Sequence, residues 1–373
     1  MIQRKLLPIL KSHLHKGKAI ILIGARQTGK TTLLKELISD LNQCLWLNAD
    51  DMEIRNMVQN LTISRLQTMF GSYQYIVIDE AQRIENVGLQ LKLITDNMPN
   101  VQLLVTGSSA LEIANRINEP LTGRKFEYKL YPLAFDELQA HFGLIEERTK
   151  LPVRLVYGSY PDVVCHPSEE RNILSLLSDS YLYKDVLQWE RIKKPEKLLK
   201  LLQALAYQMG SEVIYNELAQ IVGLDKETIS NYINLLEQAQ VIFRLGSFSR
   251  NLRNELKFAR KIYFYDNGIR NALINNFADI EMRQDIGALW ENYLISERLK
   301  RNQYNGQYIN SYFWRTTQMQ EIDYIEESDG KMSAFEFKWN PKKAAKSNPT
   351  FRKAYPDVEI QTITTDNYLD FLL

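Results

Sequence analysis

Gly24-Ala25-Arg26-Gln27-Thr28-Gly29-Lys30-Thr31-Thr32 lies between the apolar run Ala19-Ile20-Ile21-Leu22-Ile23 and the amphipathic stretch Leu33-Leu34-Lys35-Glu36-Leu37-Ile38. The first eight, Gly24 to Thr31, satisfy G-x-x-x-x-G-K-[ST] in the order strand, glycine-rich turn, helix, which is the setting a P-loop requires. Gly24 and Gly29 let the backbone curl so that successive N–H groups face an anionic phosphate chain. The helix behind adds the positive end of its dipole. Lys30 is then expected to reach the β- and γ-phosphates, and the Thr31 hydroxyl to take a place on Mg²⁺. The stretch predicts a nucleoside triphosphate site with ATP and Mg²⁺ as its ligands.

Outward from the loop, strands and helices alternate. Cys44-Leu45-Trp46-Leu47-Asn48, Tyr75-Ile76-Val77-Ile78-Asp79-Glu80, Val101-Gln102-Leu103-Leu104-Val105-Thr106 and Phe126-Glu127-Tyr128-Lys129-Leu130 read as further strands. The near-continuous apolar run before Asp79 suits a strand covered on both faces. Such alternation predicts an α/β fold with a mostly parallel sheet flanked by helices. Ligands collect at the carboxyl ends of parallel strands. Asp79 is therefore expected to hold Mg²⁺, and Glu80 to polarise the attacking water. In Thr106-Gly107-Ser108-Ser109, Ser108 is the candidate γ-phosphate sensor, with capping of the next helix as the plain alternative. Arg116 and Arg124 are candidates for a charge-stabilising arginine finger, Arg124 being preferred.

The 373 residues suffice for two or three domains. With 45% hydrophobic and 24% charged residues, the composition is that of an ordinary soluble protein. Lys and Arg number 46 against 45 Asp and Glu, a net charge of +1, so any nucleic-acid surface must be a local patch. Cys44 and Cys165 lie far apart without C-x-x-C, which excludes a cysteine metal cluster and suits a reducing compartment. The four histidines show no metal-ligand spacing. No apolar run approaches the roughly 18 residues of a membrane helix, and the basic N-terminal stretch lacks a signal-peptide core. A cytoplasmic protein without a membrane partner is the expectation.

Here a resemblance becomes specific. The chain resembles a family of prokaryotic AAA-type P-loop ATPases whose C-terminal domain is of unknown function. It rests on the P-loop, Ile78-Asp79-Glu80-Ala81-Gln82, Thr106-Gly107-Ser108-Ser109 and Leu121-Thr122-Gly123-Arg124. It continues through Tyr131-Pro132-Leu133, Gly158-Ser159-Tyr160-Pro161 and Tyr263-Phe264-Tyr265-Asp266, in order and over nearly the whole chain. The resemblance implies an additional-strand P-loop ATPase core, a winged-helix middle and a C-terminal fold akin to PD-(D/E)XK nucleases. The expected division is 1–165 for the ATPase, 166–260 for a helical connector with the winged helix-turn-helix, and 261–373 for the nuclease-like, restriction-endonuclease-like α/β domain.

Residues in the later segments fit that outline. Glu217–Leu224 and Asp225–Ile233 read as two helices around a glycine turn, with Asp225 as cap and Val241–Leu245 as the first wing strand. Lys226, Thr228, Ser230 and Asn231 would face a duplex, and Arg250, Arg253, Lys257, Arg260 and Lys261 form a dense basic stretch. Scaffold packing with solvated charges is the alternative reading of both. Further on, Asp323 and Glu336-x-Lys338 resemble the two nuclease motifs, with Glu291 as an upstream helical carboxylate. Glu336 and Lys338 fall on one face of a strand. Glu291, Asp323 and Glu336 would share Mg²⁺, and Lys338 would orient water or stabilise the transition state. Trp314 and Arg315 either hold a backbone phosphate or pack.

Three functional readings stand together. In the first, an ATP-hydrolysing P-loop enzyme controls a DNA-binding half, with nuclease activity left open. In the second, ATP drives a molecular switch whose catalytically silent nuclease fold binds a protein partner. In the third, a DNA-bound regulator uses ATP only structurally.

Overall fold

A computed structural model describes residues 1–107, 121–181, 194–249, 260–316, 318, 320–343 and 348–373. The chain forms two compact units, the first built on Met1–Pro132 and the second on most of the chain from Leu133 to Leu373.

Five strands make the sheet of the first unit: β1 (Ala19–Gly24), β2 (Cys44–Asn48), β3 (Tyr75–Asp79), β4 (Gln102–Gly107) and β5 (Lys125–Leu130). Their order is β2-β3-β4-β1-β5, and every pairing is parallel. β1, β3 and β4 are buried throughout, whereas the edge strands β2 and β5 keep partly exposed positions. That difference is the one expected between strands covered on both faces and strands at a sheet margin. Ile21, Ile23, Ile76, Ile78 and Val105 share one core with Val87, Leu91 and Ile94 of the helix Val87–Asn97. The register Ile23 to Gly107 and Ile78 to Val105 brings the ends of β1, β4 and β3 to one edge. β4 therefore stands between the P-loop strand and the strand that ends in Asp79.

The second unit contains a seven-stranded sheet of β6 (Glu212–Val213), β7 (Ile242–Ser247), β8 (Arg260–Phe264), β9 (Asn310–Arg315), β10 (Glu321–Ser328), β11 (Lys331–Phe337) and β12 (Ile360–Ile363). Its order is β12-β11-β10-β9-β7-β8-β6. β7 pairs antiparallel with β8 and parallel with β9, so one hydrogen-bonded sheet runs across the boundary read from sequence at 260/261. Two helices, Tyr215–Val222 and Lys226–Gln238, flank a turn in which Gly223 has φ 71°. Asp225 accepts hydrogen bonds from the Thr228 N–H at 2.8 Å and hydroxyl at 2.6 Å, so it caps the second helix as expected. Thr228 is thereby committed to the cap, while Lys226 and Asn231 are exposed.

Two of the motifs that carry the family resemblance serve as a structural latch. Asp266 accepts from the Ser159 N–H at 2.7 Å and caps the helix Asn267–Leu273 through the Ile269 N–H at 3.1 Å. A Cβ on Gly158, which has φ +72°, would lie 2.1 Å from Asp266, and one on Gly268 would lie 2.1 Å from the Tyr157 carbonyl. Only glycine permits both approaches. Burial raises the Asp266 pKa, against Lys300 and the backbone donors, which favour its charged form. Asn271 extends the network by donating to the Leu155 and Val156 carbonyls. No helix among the described residues is long and apolar enough to cross a membrane.

Candidate functional site

The P-loop joins β1 to the helix Lys30–Ile38. A Cβ on Gly24 would meet the Leu130 carbonyl at 2.5 Å and the Thr28 hydroxyl at 3.0 Å, so β5 presses the backbone into a space only glycine fits. Gly29 has φ +93°, and Gln27 is also left-handed at φ 58°. These turns curl the chain round the loop, which the Thr28 hydroxyl ties by donating to the Ala25 carbonyl at 2.8 Å. The helix starts without a side-chain cap, and its N-terminal end, positive by its dipole, faces the loop. Ala25, Thr28 and Lys30 are buried, Arg26 and Thr31 are half-buried, and Gln27 and Thr32 are exposed. The Lys30 ammonium donates to the Gly24 carbonyl at 2.9 Å and to the Ala25 carbonyl at 2.8 Å, within the loop it is expected to serve.

Sequence reading did not find Arg4. Its guanidinium, 6% exposed, donates to the Thr28 carbonyl and the Tyr131 carbonyl, each at 2.7 Å. It pins the back of the P-loop to the end of β5. No periodicity or motif marks this residue, because the contact spans 24 and 127 positions of sequence.

Asp79 and its neighbours form the second part of the site. The Thr31 hydroxyl donates to Asp79 Oδ2 at 3.0 Å, and the fully buried Thr106 donates its hydroxyl to Asp79 Oδ1. The same Thr106 oxygen accepts the Glu80 N–H at 3.0 Å. Glu80 is left-handed at φ 56°, a conformation that persists in a non-glycine residue only where its surroundings hold it. Gln82 also restrains Glu80, donating to its Oε2 at 2.5 Å. Thr31, Asp79, Thr106 and Glu80 thus converge at the carboxyl edge of β3 and β4. The glycine cradle, the ammonium and the hydroxyl–carboxylate pair are a donor set that fits a Mg²⁺–nucleoside triphosphate.

The other candidates divide. Ser108 and Arg116 lie outside the described residues. Arg124 is not brought to the P-loop. Its carbonyl accepts the Ala19 N–H at the start of β1, whereas Gly24 pairs with Leu130. Five strand residues, about 17 Å, separate those two ends. The Arg124 side chain pairs with Asp96 at 2.5 Å. A finger role acting on this chain's own nucleotide is therefore corrected: parallel pairing puts the start of β5 at the edge opposite the loop.

In the second unit, Glu291, Asp323, Glu336 and Lys338 do approach one another, but with unforeseen partners. Lys338 Nζ lies 3.4 Å from Glu336 and 3.7 Å from Asp323. Asp323 accepts the Phe337 N–H at 2.8 Å, and Glu336 accepts from Asn348 at 2.5 Å. Glu291 accepts from the Tyr263 hydroxyl at 2.7 Å and pairs with Lys261 at 3.1 Å. Lys261 pairs with Glu321 as well, at 2.6 Å. Lys261 is therefore buried at 3% exposure and is no part of a basic surface. Arg250, Arg253 and Lys257 lie outside the described residues, and Arg260 is half-buried. Burial alone would lower the Lys261 pKa, but Glu291, Glu321 and Asp323 outweigh it and raise the pKa above the ordinary lysine range. Burial raises Glu291, with Asp323 adding to the effect and Lys261 and Tyr263 opposing it. Trp314 packs edge-on against Phe351, and Arg315 pairs with Glu212 at 2.9 Å. Among the described residues, no group of three or more His, Cys, Asp or Glu is arranged to hold a metal ion.

The first unit has a P-loop ATPase-like fold. Residues 16–139 match a family model described as an AAA domain. Residues 148–280 and 286–369 match two domains of unknown function, DUF8612 and DUF4143. An uncharacterized protein of Haemophilus influenzae is 28% identical over 277 residues, covering 68% of each chain. The uncharacterized protein Rv2008c of Mycobacterium tuberculosis is 25% identical over 337 residues, covering 88% of this chain and 72% of its own. The Walker-type ATPase paby2304 of Pyrococcus abyssi shares the fold, with a TM-score of 0.53 at 14% identity, covering 74% of this chain and 96% of that one.

Proposed function

We propose that the first unit binds ATP with Mg²⁺ and hydrolyses it. The observation that carries this reading is the convergence of Thr31, Asp79, Thr106 and Glu80 beside a glycine cradle that holds Lys30. The backbone of Gly24–Thr32 would receive the phosphates, and the Lys30 ammonium would exchange two loop carbonyls for phosphate oxygens. Thr31 and Asp79 would hold Mg²⁺, which when bound neutralises charge on the phosphates. Glu80, restrained by Thr106 and Gln82, would orient the attacking water. For Arg124 to act as a finger, the nucleotide would have to sit on another copy of the chain.

The second unit would be what the nucleotide state controls. A winged-helix reading is supported by the two helices around Gly223 and the adjacent β7, and duplex DNA as partner by exposed Lys226 and Asn231. A protein partner bound to a silent nuclease-like fold is the second reading, favoured by the burial of Lys261 among carboxylates. The deciding assay is Mg²⁺-dependent ATP hydrolysis, wild type beside Lys30→Ala, with and without duplex DNA. Hydrolysis lost in the variant and raised by DNA supports the first reading. Hydrolysis indifferent to DNA favours the protein-partner switch, and its absence from the wild type refutes the ATPase assignment.

A further inference from the structure

Each carboxylate that a nuclease-like reading would assign to Mg²⁺ already faces a lysine ammonium. Glu291 on the helix Ile286–Tyr304 and Glu321 on β10 both contact the Lys261 ammonium, at 3.1 and 2.6 Å. Lys261 belongs to β8, and its ammonium lies 5.4 Å from the centre of the Phe313 ring on β9, so the side chain crosses an aromatic face to reach β10. Asp323 adds its charge to the same surroundings. A second ammonium, Lys338, lies within 4 Å of both Asp323 and Glu336. Each carboxylate also accepts a hydrogen bond that fixes its position: Glu291 from Tyr263, Asp323 from the Phe337 N–H, and Glu336 from Asn348. A hard divalent ion requires several free oxygen ligands at about 2.1–2.6 Å. Entry beside Glu291 and Glu321 would demand displacement of the buried Lys261 ammonium.

We propose that the Lys261 ammonium is the resident cation of this carboxylate cluster and that the second unit takes no divalent metal there. The E-x-K pair then belongs to an internal charge network that fastens β8, β10, β11 and the helix bearing Glu291 together. It does not form a metal-dependent phosphodiester-cleaving centre. Losing one partner of a buried ion cluster leaves the others uncompensated. The inference rests on the geometry of the second unit alone, independently of nucleotide hydrolysis.

The test is Mn²⁺ binding to the full-length chain, followed by electron paramagnetic resonance without nucleotide, for wild type, Asp323→Asn, Lys261→Met and the double variant. The expected result is identical Mn²⁺ uptake by wild type and Asp323→Asn, with one further site appearing in Lys261→Met and vanishing in the double variant. Mn²⁺ uptake by the wild type that falls by one equivalent in Asp323→Asn overturns the proposal. So does a folded Lys261→Met that gains no site, since the carboxylates would then not be a cation centre. Should Lys261→Met fail to fold, the comparison of wild type with Asp323→Asn decides the matter. A fault in the nucleotide reading cannot produce these outcomes, because Asp323 lies in the second unit.

Discussion

Replacing Thr106 by Val tests whether one buried hydroxyl organises the proposed catalytic carboxylates. The side chain is fully buried, and Val keeps its branched shape while deleting Oγ1. Two interactions go at once: the bond donated to Asp79 Oδ1 and the Glu80 N–H bond of 3.0 Å. A hydrogen bond to a charged group contributes about 1.5–3 kcal/mol, and a buried N–H left without an acceptor costs about 1–3 kcal/mol. Asp79 is partly compensated, because Thr31 still donates to Oδ2 at 3.0 Å. Glu80 is not, and its left-handed backbone at φ 56° loses one of its anchors. The expected loss of stability is about 2–4 kcal/mol. If about 1.4–2.7 kcal/mol of that misplaces Glu80 in the transition state, kcat for ATP hydrolysis falls roughly 10- to 100-fold. The Thr106 hydroxyl bonds to Asp79 and Glu80 and lies on β4, apart from the phosphate cradle, so the Kd of a non-hydrolysable ATP analogue should change by less than about threefold. Steady-state hydrolysis beside equilibrium binding of the analogue separates the two effects. Unchanged kcat in a folded variant would refute the role of Thr106, and binding lost in step with kcat would move it to the nucleotide pocket.

Other outcomes follow from the same geometry. Gly158→Ala must shift Asp266, whose carboxylate lies 2.1 Å from the new Cβ, and must hold alanine at φ +72°; a loss of about 3–5 kcal/mol is expected in denaturant unfolding. Arg4→Met should loosen the P-loop by leaving the Thr28 and Tyr131 carbonyls without their charged donor, raising the Kd for ATP and lowering the Tm. For Asp285, burial favours the neutral form, but hydrogen bonds from Arg283 and Arg270 prevail and bring its pKa down to about 2. With an unfolded value of about 3.9, the group stabilises the native state above that pH and loses its effect as pH falls toward 2. Acid unfolding of Asp285→Asn should therefore be flatter across that window, from a lower Tm at neutral pH; an unaltered acid profile would contradict the assignment.

The P-loop, the strand ending in Asp79 and the two helices around Gly223 were legible in sequence because each is encoded by neighbours in the chain. A glycine spacing, an apolar run and a cap at fixed offset carry their own local physics. The seven-stranded sheet was not, since the pairing of β7 with β9 joins residues 66 positions apart, Gly246 with Tyr312. Charge partners were hidden for the same reason. Lys261 read as part of a basic surface, but its exposure is set by strand order, not by the residues beside it. Thr106 was not singled out in sequence because its place depends on β4 lying against β3, which brings its hydroxyl to Asp79, 27 positions away. Arg124 is removed from the loop by the parallel register that puts the start of β5 at the far edge. Sequence by itself determined which groups can do phosphate chemistry, since that capacity belongs to side-chain type and local spacing. Tertiary structure decided which of them meet and which charges are buried, because strand order and register set those distances.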